Sequence, residues 1–155
     1  VGERGEVYVS DLLGGAIYRL QEEKFDRWLV NSKLPHPNGL LWHRGGLYIA
    51  NWGEDMNDDF TTREPGTWFR LDVESKALKI VATGYRLGNL DGVVAMDTEL
   101  YISDWITGAI YRLSGNERHK VLQLTAGLAD IGSSGDGVIY APMMMDNRII
   151  ALISQ

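Results

Sequence analysis

A chain of 155 residues, 45% hydrophobic and 23% charged, with a formal net charge of −6, has the size of one globular domain and can bury a core without staples. It has no cysteine, which excludes a disulfide scaffold, a thiolate zinc site and a cysteine nucleophile. Its acidic balance, with no cluster of Lys and Arg, argues against nucleic acid as a partner, and the longest near-apolar run, residues 138–145, is far too short to cross a bilayer, so no membrane partner is expected.

Glycine fills 18 positions and proline 4, a balance that favours turns over helices. The first predicted strand is Val7-Tyr8-Val9-Ser10-Asp11, the second Gly15-Ala16-Ile17-Tyr18-Arg19-Leu20, each with apolar residues at period two. Residues 24–30 are ambiguous on their own, because Phe25, Trp28 and Leu29 also fit a helical stripe. Their later counterparts in residues 76–82 and 117–124 read as strands, so a strand is expected here too.

A glycine-bearing turn, Pro37-Asn38-Gly39-Leu40, then opens a second unit whose words repeat the first. Leu47-Tyr48-Ile49-Ala50-Asn51-Trp52 is followed, after an insertion of about a dozen residues, by Gly66-Thr67-Trp68-Phe69-Arg70-Leu71. A third unit opens at Leu90-Asp91-Gly92-Val93 and carries Leu100-Tyr101-Ile102-Ser103-Asp104-Trp105 and Gly108-Ala109-Ile110-Tyr111-Arg112-Leu113. A fourth, looser unit opens at Ala129-Asp130-Ile131-Gly132, and Met143-Met144-Met145 extends its next strand. The marker tyrosines Tyr8, Tyr48, Tyr101 and Tyr140 stand 40, 53 and 39 residues apart.

Four short strands in a repeat of about 40 residues mark a β-propeller blade, whereas a β-sandwich gives no reason for the same words to return in order. The expectation is an all-β partial β-propeller of about three to three and a half four-stranded blades. It forms one domain over residues 1–155, with blade fragments 5–30, 37–82, 90–124 and 129–155. Propellers close with four to eight blades. The chain therefore reads as a piece of a longer parent, and its partner is expected to be a missing N-terminal half or another copy of itself.

Asn38, Asp91 and Asp130 share one repeat phase, at the turn entering the innermost strand, so this fold would aim all three at the channel mouth. Amide and carboxylate oxygens suit a hard cation such as Ca²⁺. The same Asn-Gly and Asp-Gly pairs also serve as plain turn formers. The insertion holds Asp55, Asn57 and Asp59 at alternate positions, but Phe60 and Gly66 stand where a calcium loop needs Gly and Glu, so it reads as a solvated acidic loop or a lid. Trp52 and Trp105 end equivalent strands and serve either blade packing or the wall of a substrate pocket. Of the three histidines, only His36 lies close to one of these turns.

The ordered phrases PNGL (37–40), LYIANWG (47–53), DFTTREPG (59–66), GNLDGV (88–93), LYISDWITGAIYRL (100–113), GLADIG (127–132) and APMMMDNRIIAL (141–152) span nearly the whole chain. This series resembles the bacterial branch of the gluconolactonase, senescence-marker and luciferin-regenerating family. The resemblance implies the C-terminal half of a six-bladed propeller and a hydrolase of a small lactone or ester assisted by a divalent cation, calcium first. It implies Asn38 and Asp91 as metal ligands and Asp91 as the catalytic proton acceptor, with Asp130, Trp52 and Trp105 left as candidates to contact substrate. A third family ligand, a Glu from the first blade, has no counterpart here, since its blade would lie ahead of Val1. The alternative is a non-catalytic propeller half that serves as a ligand-binding or protein-interaction scaffold. An exported, periplasmic home is suggested by the resemblance alone.

Overall fold

The computed structural model describes residues 1–81, 83–135 and 137–153; Ala82, at the end of the second expected blade, Asp136, Ser154 and Gln155 lie outside the described residues. Among those residues the chain is all-β, with sixteen strands. The first sheet is a meander of β1 (Val7–Asp11), β2 (Ala16–Gln21) and β3 (Lys24–Leu29). The stretch that reads equally as a helix is therefore a strand, and the turn before it shows why. Glu22 and Glu23 take φ of 49° and 63°, the left-handed pair that a two-residue hairpin needs and a right-handed helix forbids.

The second sheet is built from β4 (Pro37–His43) and β5 (Gly46–Asn51). The insertion that follows is a separate hairpin, β6 (Gly53–Met56) with β7 (Thr62–Pro65), rather than a loop, and the sheet resumes with β8 (Trp68–Leu71) and β9 (Leu78–Ile80). A third sheet contains β10 (Leu90–Met96), β11 (Glu99–Asp104), β12 (Ala109–Ser114) and β13 (Glu117–Gln123). The last contains β14 (Gly132–Ser133), β15 (Val138–Met143) and β16 (Arg148–Ile153).

Strand alternation explains how the sheets stack. Because successive side chains point to opposite faces, Leu47 and Ile49 of β5 join Ile17, Leu34 and Leu71 on the side of the first sheet. Ala50 of the same strand joins Trp68, Leu90, Leu100 and Ile102 on the side of the third. In β11, Ile102 faces the second sheet while Tyr101 packs with Ile110, Ile139, Ala141 and Met143 toward the fourth. Middle strands are thus buried on both faces, and each fully enclosed Ile or Leu contributes about 1.5–3 kcal/mol. The outer strands β9 and β13 are largely exposed.

The first strands of successive sheets lie side by side: β4 touches β1 and β10, and β10 touches β14. The remaining strands of each sheet run outward from these neighbours, which is the layout of a partial propeller. The two end sheets leave apolar side chains uncovered, with Val9 45% exposed at one end and Ile149 and Ile153 68% and 75% exposed at the other.

Candidate functional site

The turns predicted at Asn38-Gly39 and Asp91-Gly92 lie inside β4 and β10, as bulges. Pairing runs from Pro37↔Asn51 directly to Leu40↔Ile49, and from Leu90↔Asp104 directly to Val93↔Ile102. A bulge bends its strand and re-aims a side chain, and here it does so for Asn38 and Asp91 alike. Glycine follows each for a steric reason. A Cβ on Gly39 would collide with the Asp91 carbonyl, and one on Gly92 would collide with the Ile131 amide and the Asp130 carboxylate. The dipeptides that look like turn formers are therefore needed where neighbouring inner strands nearly touch.

This close approach brings Asn38, Asp91 and Asp130 together. The Asn38 amide donates through Nδ2 to the Leu90 carbonyl at 3.4 Å and lies near enough to the Asp91 carboxyl to favour its charged form. Asp91 is half-buried, and its carboxyl is pushed up to about 7, first by burial and then by the charge of Asp130, against the opposing influence of Asn38. Enclosure by the surrounding strands raises Asp130 as well, although its side chain meets solvent, which keeps that effect the smaller of the two. Two carboxyls and an amide thus gather where the inner strands meet, with no cationic side chain bonded to them among the described residues. All the donors are hard oxygens, so the set fits a divalent cation of the calcium type better than a soft metal. Among the described residues, no group of three or more His, Cys, Asp or Glu forms a metal cluster; the trio here includes an amide in place of a third such ligand.

A hydroxyl absent from the sequence-based candidates belongs to the same place. Ser103 in β11 is fully buried, accepts a bond from the Gly92 amide at 2.8 Å and donates to the Ala129 carbonyl at 3.2 Å. The only sequence signal for it is its position in the repeated phrase, where Ser10 and Ala50 occupy the matching places.

Trp52 and Trp105 emerge at this same end of the sheets. The Trp52 amide donates to the His36 carbonyl at 2.8 Å and the Trp105 amide to the Asn89 carbonyl at 2.9 Å, each acceptor two residues ahead of Asn38 or Asp91. Their rings meet across two sheets with centroids 5.8 Å apart. Trp52 is buried and Trp105 half-buried, so packing accounts for the first while the second stays partly open to solvent. The inserted hairpin closes over Trp52: the indole donates to the Phe60 carbonyl at 2.9 Å, and Asn89 Nδ2 bonds both the Trp52 carbonyl and Thr62 Oγ1. The His36 ring instead meets the Leu12 carbonyl at 3.0 Å, in the turn between β1 and β2. Met143 is buried in the core, and Met144 and Met145 are exposed.

A groove of about 450 Å³ elsewhere, lined by Met96, Ile110, Arg112, Leu122, Ile139 and Leu152, lies between the third and fourth sheets. It contains no carboxylate and is an opening between blades, so the titratable cluster is the better candidate site.

Sheets fanned around adjoining inner strands define a partial β-propeller, with the candidate side chains gathered where those strands meet. Among solved structures, the chain is similar to a gluconolactonase from Xanthomonas campestris described as important in glucose secondary metabolic pathways, with 13% sequence identity and a TM-score of 0.68. The match covers 100% of this chain and 60% of that one, so the chain spans about three fifths of that enzyme's length. At this identity the likeness establishes a gluconolactonase-like fold. No protein-family model and no curated protein matches the chain.

Proposed function

We propose that the chain carries the cation-binding and proton-accepting residues of a small-lactone or ester hydrolase that acts when the propeller ring is complete. The observation that supports this reading most is the Asp91 carboxyl, held up to about 7 beside Asp130 and Asn38 at the meeting point of the inner strands. Asn38, Asp91 and Asp130 would hold a divalent cation, calcium first, through side-chain oxygens. The Asp130 carboxylate adds negative charge to a set that lacks the family's Glu. When bound, the cation supplies polarisation of the ring carbonyl and stabilisation of the oxyanion.

The chain's own residues account for the rest. Asp91 accepts the proton released by the attacking water, through a carboxylate that stands beside both the cation's other ligands and the place the water would occupy. The solvent-accessible part of Trp105, backed by Trp52 and the hairpin, would offer an apolar wall for the substrate ring and limit water at that side.

Thermal unfolding with calcium against chelator tests the first half of the proposal. A ligand that binds only the folded state at a hundred times its Kd adds about 2.7 kcal/mol of stability. A lactone-opening assay on the completed ring, with the chain joined to its missing half or assembled with a second copy, tests the second half. Stabilisation without turnover favours the ligand-binding scaffold over the hydrolase, and no stabilisation removes the cation from the account.

A further inference from the structure

We infer that Ser103 is a positioning residue that sets the spacing between the Asp91 and Asp130 carboxyls by clamping the backbone beside each of them. The inference deepens the proposed function and rests on that reading for its consequence, though its geometric part stands alone. Ser103 Oγ accepts from the amide of Gly92, the residue after Asp91, and donates to the carbonyl of Ala129, the residue before Asp130. One hydroxyl therefore uses both its donor and its acceptor capacity to join two segments that approach the hub from different sheets.

The position is enclosed, with Ser103 at 0% exposure, so no water replaces the hydroxyl without displacing something else. The junction one step around the hub is made differently. There Ala50 occupies the matching strand position, and the Asn38 side chain itself bonds the Leu90 carbonyl at 3.4 Å. Asn38 thus links its own sheet to the next directly. No hydrogen bond joins the Asp91 and Asp130 side chains among the described residues, and Ser103 supplies the link between their segments. Gly92 removes the remaining obstacle, since any Cβ there would press on Ile131 and Asp130.

The test compares Ser103→Ala with Ser103→Thr, which keeps the hydroxyl, in the full chain. Exchange of the Gly92 amide is read by NMR, calcium affinity by calorimetry, and the Asp91 to Asp130 separation by crystallography. The inference expects faster Gly92 exchange, a separation altered by more than about 0.5 Å and a calcium affinity weakened about 10–100-fold in Ser103→Ala, with Ser103→Thr close to the parent. Circular dichroism shows whether each variant folds. If Ser103→Ala does not fold, Ser103→Thr and Ser103→Cys carry the comparison, since the thiol is a weak donor and should give the same signature to a smaller degree. An unchanged separation and unchanged Gly92 exchange in a folded variant that lacks the hydroxyl overturn the inference. If the parent chain binds no calcium, the proposed function fails, and the clamp is still decided by the exchange and the separation.

Discussion

Replacing Asp91 by Asn should stabilise the folded chain at neutral pH while abolishing its response to calcium. The folded carboxyl is held up to about 7 against an ordinary 3.8, mainly by burial and next by Asp130. The folded state therefore keeps a proton that the unfolded state has already released, and stability falls as pH rises from about 4 to about 7, then levels off. The full difference corresponds to a ceiling of about 4 kcal/mol. Asp91 is only half-buried, and local hydration brings a realistic loss to about 1–3 kcal/mol, or about 3–10 °C in Tm for a domain of this size. Asp91→Asn never ionises, so it should match the parent near pH 4 and exceed it by that margin near pH 8 in chelator. Asp130 keeps its own decline in both proteins. Urea unfolding across the pH range, with and without calcium, reads both effects. A variant that is no more stable than the parent near pH 8 in chelator, or that still gains stability from calcium, refutes the reasoning.

Gly92→Ala should destabilise the chain by about 1–3 kcal/mol through overpacking against Ile131 and Asp130, and calorimetry should show calcium binding lost with it. In the completed ring, Trp105→Ala should raise KM for a lactone about tenfold with little change in kcat, because it removes a wall rather than a proton acceptor. Trp52→Ala, at a buried site bonded to the hairpin, should instead cost about 3–5 kcal/mol of stability in a denaturant titration. The uncovered apolar faces of the end sheets should drive self-association, so Ile149→Lys with Ile153→Lys should lower the sedimentation-average mass at a given concentration.

The blade pattern was legible because period-two alternation survives in every unit and the same words return in the same order. Residues 24–30 were harder to read, since Phe25, Trp28 and Leu29 satisfy both periods; two left-handed glutamates at the preceding turn settle the matter, and glutamate gives no such signal in sequence. The insertion reads as a solvated loop from its acidic residues, yet it pairs as a hairpin because Trp52 and Asn89 tie it down from outside its own segment. Repeat phase was enough to group Asn38, Asp91 and Asp130. It could not reveal Ser103, whose meaning depends on two backbone atoms from separate strands arriving within reach of one hydroxyl. Nor could it show that the Asn-Gly and Asp-Gly pairs are demanded by the near contact of inner strands rather than by turns.

The most direct test is crystallographic: the chain grown with manganese, whose anomalous scattering locates the ion independently of any fitted side chain. One strong peak is expected, coordinated by the Asn38 amide oxygen and the Asp91 and Asp130 carboxylates. A peak elsewhere, or none at a manganese concentration that saturates other oxygen sites, would contradict it.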